Sequence, residues 1–320
     1  MSRAIPDSEK LESLRKNMQL LSPVPQEFED GRAYYLKAYG LEFSDISGDI
    51  FYSGGFLRSG DLKISCHLWR QHSNKGTVVL LHGYFDHVGL YGHIIRFYLE
   101  QGFSVFTYDQ IGHGLSCGDR ANIDSFSSYT RVLRMCLDWC KKADLPKPFH
   151  LSGQSMGGAI VSEFLAGERC TKDEYSIDKV ILFAPLIRPV LWRWGRIQYQ
   201  LVRRFISSVP RSRSNNSNDH EFLEFLAREP LQSRTLPVGW VGAMSRWIKK
   251  IESIAKPCGF DALIIQGQKD GTVDWQHNMP VYKRLYKSVD VFYIPEGQHH
   301  LVNESEEIRQ RYMGWLLNKL

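Results

Sequence analysis

The sequence predicts an α/β fold: a mostly parallel β-sheet flanked by helices, with a helical cap inserted between two of its later strands. Three observations predict it. Short apolar runs alternate with segments of helical periodicity from Thr77 onward, and continuous apolar strands separated by helices indicate a parallel sheet covered on both faces. A glycine-flanked serine, Ser155, stands where one such strand meets the following helix. Between residues 186 and 256 the alternation stops and resumes unchanged afterwards, as expected of an insertion.

The elements follow in order. Residues 1–48 are expected to form an N-terminal extension that packs on the core, with one helix near Ser8–Leu21 and then a proline-containing loop. Ile50–Phe56 and Leu62–Trp69 read as strands around the turn Arg58-Ser59-Gly60-Asp61. The core proper, 49–185 and 257–320, then runs Thr77–Leu81 (strand), His93–Gln101 (helix), Phe103–Tyr108 (strand), Ser127–Lys142 (helix), Phe149–Gly153 (strand), Met156–Ala166 (helix) and Val180–Phe183 (strand). After the insertion come Ala262–Gln266, His277–Tyr286, Val289–Ile294 and Ser305–Leu317, again strand and helix by turns. The insertion, 186–256, has no strand-like runs and carries the polar stretch 212–218 in its middle; it is expected to be mostly helical.

Composition narrows the function classes. With 320 residues and 43% hydrophobic content the chain can bury one large core plus an insertion. The N-terminal stretch has no apolar segment of secretory type, and no run approaches the length of a membrane span. The six cysteines form no CxxC pair, so reduced structural thiols and a cytoplasmic protein are expected. The histidines at 82, 87, 93 and 113 match no metal-binding spacing, and no nucleic-acid-binding motif is present. Neither metal nor cofactor is expected.

The segment Phe149–Gly158 reads strand, G-x-S-x-G, helix. A serine on such a turn projects its hydroxyl from the sheet edge, and the helix that follows aims its positive end at the same point. The arrangement resembles the nucleophile turn of the α/β-hydrolase fold. A serine hydroxyl needs a histidine to take its proton and an acid to orient that histidine, in the chain order Ser, Asp/Glu, His. Asp270 is the first acid past the strand 262–266; Asp274 lies nearer the next helix, where an N-cap role is natural. After the last strand, His299 and His300 stand side by side. One of them is the expected base, with His300 favoured and His299 a loop or pocket residue. Acyl transfer also needs backbone N–H groups facing the developing oxyanion. Met156, after the nucleophile, and Tyr84, in the loop that begins His82-Gly83, are the expected donors.

Three further blocks carry a family likeness: His82-Gly83-Tyr84-Phe85-Asp86-His87, Asp109-Gln110-Ile111-Gly112-His113-Gly114-Leu115-Ser116, and Gly297-Gln298-His299-His300. With the nucleophile segment they resemble the monoacylglycerol lipase and bacterial lysophospholipase branch of the α/β-hydrolase superfamily, over roughly residues 50–318. The resemblance implies Ser155 as nucleophile, Asp270 as acid, Tyr84 and Met156 as oxyanion donors, and cofactor-free cleavage of lipid carboxylic esters. The family pattern Gly-x-x-His, counted from Gly297, implies His300 as the base. Relatives tend to have a small residue where this chain has Tyr84, a bulk expected to narrow the pocket. The Asp109–Ser116 block and the Asp119-Arg120 pair are expected to be loop scaffolding.

The insertion holds 13 Lys/Arg against 5 Asp/Glu, a local balance of +8. Its apolar residues Leu191, Trp192, Trp194, Leu201, Phe205, Trp240, Trp247 and Ile248 are expected to line an acyl channel. Its basic residues, Arg203, Arg204, Lys249 and Lys250 among them, suit peripheral contact with anionic lipid, at the inner face of a membrane. The expected reaction is hydrolysis of a single-acyl lipid ester, a lysophospholipid or monoacylglycerol, through an acyl-enzyme. The same machinery could serve a small ester, a thioester or a peptide N-terminus, and a domain with a silent triad would only bind ligand.

Overall fold

The computed structural model describes residues 4–24, 30–46, 49–72, 75–212 and 215–320. Of the polar stretch expected at 212–218, Arg213 and Ser214 lie outside the described residues.

The chain opens with α1 (Ser8–Asn17) and α2 (Asp30–Tyr39), then β1 (Phe51–Ser59), β2 (Leu62–Arg70), β3 (Thr77–Leu81), α3 (Gly92–Glu100), β4 (Ser104–Tyr108), α4 (Ser127–Lys142) and β5 (Phe149–Gln154). Next come α5 (Met156–Ser162), which widens into a last turn over Glu163–Gly167, α6 (Lys172–Tyr175) and β6 (Ile177–Phe183). The chain then leaves the sheet for α7 (Trp192–Val202), β7 (Ser208–Pro210), α8 (His220–Arg228), β8 (Thr235–Pro237) and α9 (Val238–Glu252). It returns as β9 (Asp261–Gly267), α10 (Trp275–Leu285), β10 (Ser288–Ile294) and α11 (Glu306–Leu317).

One eight-stranded sheet runs β1-β2-β4-β3-β5-β6-β9-β10. Only the β1–β2 and β2–β4 pairs are antiparallel. The first two strands meet in a tighter hairpin than the sequence suggests, because β1 continues to Ser59 and Gly60 takes φ +56° at the corner. Every residue of β3 is buried, and its side chains alternate between two cores. Val79 and Leu81 join the core under α4 and α5, which also takes Trp240 and Trp247 of α9. Val78 and Leu80 join the core under α1, α2, α3 and α11, which takes Phe222 and Phe225 of α8. Both cores thus reach into the 186–256 segment.

Elements went unseen in the sequence, α2 and the short pair β7–β8 among them. The helix α2 lies where a loop is expected; Tyr35, Leu36 and Tyr39 bury one side of it against the sheet, and packing rather than propensity holds it. The strands β7 and β8 pair over only three residues each, too short to leave an alternating pattern. No helix among the described residues is long and apolar enough to cross a membrane.

Candidate active site

Ser155 occupies the sharp turn between β5 and α5, with φ 52° and ψ −111°. Such a backbone is strained for a residue with a Cβ and persists only when its surroundings hold it. The end of β6 supplies that hold: Ser155 N–H donates to Phe183 O at 2.8 Å, and Leu186 N–H donates to Ser155 O at 3.1 Å. The flanking glycines serve space rather than backbone freedom. A Cβ on Gly157 would lie 2.3 Å from Leu81 O, and one on Gly153 would lie 2.5 Å from the Gly157 carbonyl carbon.

Asp270 follows β9. Its Oδ1 accepts from the Thr272 and Val273 amides at 2.8 and 3.0 Å, which locks the carboxylate in place. Its Oδ2 lies 2.8 Å from Nδ1 of His299, and Nε2 of His299 lies 3.0 Å from Ser155 Oγ. Since a carboxylate only accepts, Nδ1 donates and Nε2 is left to accept from the serine hydroxyl. Asp274 caps α10, accepting from the His277 amide at 3.2 Å.

The expectation of His300 as partner to Ser155 is therefore corrected: His299 holds that place. Main-chain packing decides it. Gly297 and Gln298 press their carbonyls onto Gly267, where an added Cβ would meet them at 2.4 and 2.3 Å. The carbonyl of His299 accepts from Gln154 Nε2 at 2.8 Å, and the amide of His300 donates to Asn216 O at 2.7 Å. With the chain pinned this way, the side chain of His299 faces Ser155. That of His300 points away, 3.0 Å from Asp86 Oδ2 and against the ring of Phe222.

The loop after β3 lies against the nucleophile: a Cβ on Gly83 would be 3.5 Å from that of Ser155. His82 ties it down as expected, its Nδ1 bonding Gly83 O at 2.7 Å and its Nε2 accepting from the Gln110 amide at 2.8 Å. Burial holds the His82 imidazole neutral, its pKa pushed down to about 3. The amide of Gly83 donates to Tyr91 Oη at 2.7 Å, and that hydroxyl donates to Asp86 Oδ2 at 2.9 Å. The amide of Tyr84 donates to no backbone acceptor among the described residues. Met156 is the first residue of α5, where amides have no intrahelical acceptor. The Tyr84 ring stacks on Trp240 with centroids 3.7 Å apart, and its hydroxyl bonds Ala121 O at 2.7 Å.

The Asp109–Ser116 block is a buried knot. Asp109 accepts from the Val88 and Leu115 amides at 2.8 and 2.7 Å, and Ser116 Oγ bonds both Asp109 O and the Ser65 amide. Arg120 closes it by donating to Gly114 O at 2.6 Å.

The 186–256 segment also holds charged partners that sequence reasoning missed. Glu229 lies 3.2 Å from His87 Nε2 with both side chains fully buried, and it accepts from Tyr39 of α2. Gln232 Nε2 donates to Asp86 Oδ1 at 3.3 Å, beside a cavity of about 210 Å³ lined by Arg211, Asn216, Leu223 and Leu226. These are lone polar residues in a polar segment, and nothing in their spacing marks them.

The expected channel lining is contradicted at four residues, and the other four pack into the core. Trp192, Trp240, Trp247 and Ile248 are buried, but Leu191, Trp194, Leu201 and Phe205 face outward, Trp194 at 67% and Phe205 at 85% exposure. Together with Val190, Ile197 and Ile206 they form an apolar outer face on and around α7, flanked by the exposed Arg193, Arg196, Arg203 and Arg204. Lys250 is engaged with Glu163 of the core.

Residues 72–306 match the family described as serine aminopeptidase, S33. The monoacylglycerol lipase of Mycolicibacterium smegmatis is 25% identical over 279 residues, 83% of this chain and 96% of that protein. Phospholipase YtpA of Bacillus subtilis is 23% identical over 256 residues, 74% of this chain and 93% of that protein. Among solved structures, a soluble variant of monoglyceride lipase from Saccharomyces cerevisiae superposes with a TM-score of 0.70 at 17% identity. It covers 85% of this chain and 94% of that one.

Proposed function

The chain belongs to the serine aminopeptidase, S33 family, in the monoglyceride lipase branch of the α/β-hydrolases, and from that membership we propose that it hydrolyses the carboxylic ester of a single-acyl lipid. The observation that carries this is the hydrogen-bonded line Ser155–His299–Asp270, at 3.0 and 2.8 Å.

The reading assigns each residue one step. Nε2 of His299 takes the Ser155 proton as Oγ attacks the ester carbonyl, and Asp270 stabilises the imidazolium through Nδ1. The N–H groups of Tyr84 and Met156 receive the oxyanion. The intermediate collapses, His299 gives its proton to the leaving alcohol, and the acyl group stays on Ser155. Water, deprotonated by His299, then attacks the acyl-enzyme, and the fatty acid leaves with Ser155 restored. No cofactor takes part.

The substrate class draws on two supports. The relatives named above are a monoacylglycerol lipase and a phospholipase. The segment 186–256, read as a cap, presents its apolar outer face and flanking arginines as a surface for an anionic membrane, from which a lipid would enter. A second reading, a small ester or thioester, is favoured by the burial of Ser155, which is only 7% exposed.

A fluorophosphonate probe should label wild type and not Ser155→Ala. On p-nitrophenyl esters of rising chain length, with lysophosphatidylcholine and monoacylglycerol, kcat/KM should peak on a long single-acyl substrate. A peak at acetyl or propionyl esters would select the second reading; an unlabelled wild type would refute both.

A further inference from the structure

Four consecutive residues of the loop after β3 are each held by a different residue of the cap segment. The Tyr84 ring stacks on Trp240, 3.7 Å between centroids and 16° between planes. Phe85 lies under the Arg211 guanidinium at 4.1 Å. Asp86 accepts from Gln232, and His87 meets Glu229. Phe85 has φ +70°, a strained backbone that its neighbours must maintain.

Glu229 is the hub of this grip. Its Oε2 accepts from the Leu231 and Gln232 amides at 2.6 and 3.0 Å, which fixes the cap turn before β8. Its Oε1 takes the Tyr39 hydroxyl and faces His87. Burial opposes charge on both partners, yet the Glu229 carboxylate holds the His87 pKa above its ordinary value and His87 holds that of Glu229 below. Each partner favours the charged form of the other. A buried ion pair adds little net stability over an apolar contact of the same size, but it fixes distance and direction.

We propose that Glu229 is a positioning residue, which reaches from the cap to hold the loop presenting the Tyr84 N–H, so that the cap and the oxyanion site move as one. This rests on the hydrolase reading above. A donor displaced by about 1 Å costs on the order of 10²-fold in rate, and a lost donor about 10²- to 10³-fold.

The experiment measures kcat per fluorophosphonate-titrated site on p-nitrophenyl butyrate, a soluble ester that needs no membrane. Glu229→Gln should lower kcat by about 10- to 100-fold with KM changed less than about threefold. Gln232→Ala, which loosens the same loop from a part-exposed position, should lower it several-fold and guards against misfolding of the first variant. Glu252→Gln is the control. Glu252 of α9 binds Arg188 within the same segment at 2.6 Å and ties it to His277 of α10 at 2.9 Å, away from residues 84–87. It should lower thermal stability and leave kcat per titrated site unchanged. The proposal is overturned if Glu229→Gln keeps wild-type kcat per site, or if Glu252→Gln loses as much. An unlabelled wild type would instead overturn the hydrolase reading, and this inference with it.

Discussion

Two adjacent histidines with opposite surroundings make a sharp test. His299→Ala removes the group 3.0 Å from Ser155 Oγ and 2.8 Å from Asp270, and kcat should fall by about 10⁴- to 10⁶-fold. A loss of 10⁵ corresponds to about 7 kcal/mol of transition-state stabilisation. His300→Ala acts on another quantity. It leaves the Asp86 carboxylate buried with Tyr91 at 2.9 Å and Gln232 at 3.3 Å as its donors among the described residues. Burial alone would raise the Asp86 pKa; the contact with His300 leads the opposing interactions, with His82 and Tyr91 adding to it, and together they hold the carboxyl below its ordinary value. Removing one partner of such a buried pair costs about 3–5 kcal/mol, a large share of a typical total of about 5–15 kcal/mol. At roughly 2–4 °C per kcal/mol the midpoint should drop by about 6–20 °C. Because Asp86 adjoins Gly83, kcat per titrated site should fall too, by no more than about tenfold. The assay pairs thermal melts with kcat on a soluble ester, normalised by fluorophosphonate titration. If His300→Ala loses more than about 10³-fold while His299→Ala stays active, the arrangement described above is wrong.

Stability should depend on pH in a definite direction. Burial pushes His67 and His82 down to about 3 and His113 to about 4, while in the unfolded chain each titrates near pH ~6.5. Below that value the unfolded state binds protons that the native state refuses, so stability present at neutral pH is lost as pH falls. From pH 7 to pH 5 the three together should cost about 6 kcal/mol. His87 does not offset this: its raised pKa adds a stabilisation already complete below pH ~6.5 and lost only at higher pH. Urea midpoints that stay level from pH 7 to pH 5 would exclude these assignments. For the cap's outer face, Arg203→Ala with Arg204→Ala should weaken binding to anionic vesicles by about 30-fold, at about 1 kcal/mol per cation. Replacing the exposed Phe205 by serine should weaken it by a further 10-fold or more, given about 1.5–3 kcal/mol for burying such a side chain. Co-sedimentation at low and high salt reads both, and a wild type that never sediments would return this face to ordinary solvent exposure.

Most of the sheet was legible because its strands are local signals. An apolar run such as Thr77–Leu81 is buried on both faces whatever surrounds it, and its length separates it from the helices. The missing pieces, α2 and the β7–β8 pair, owe their form to distant partners. Tyr35 and Tyr39 become helical by packing on β2 and the loop after β3, and β7 pairs with β8 from the far side of α8, both against α9. The nucleophile was legible for a local reason: Gly153 and Gly157 must be glycines because Ser155 sits between segments that touch, and all three lie within five residues.

By itself, then, the sequence determined the α/β alternation, the departure from the sheet between β6 and β9, and the turn that carries Ser155, because each depends on neighbours in the chain. Only the tertiary structure decided between His299 and His300. Both lie in one loop, and the choice is made by Gln154, Gly267 and Asn216, none of them near in sequence. The same holds for the aromatic residues of the cap. Trp247 and Phe205 are equivalent in composition, but α9 turns the first into the core while the second, just past α7, faces out, since which way a side chain faces is a property of the packed whole.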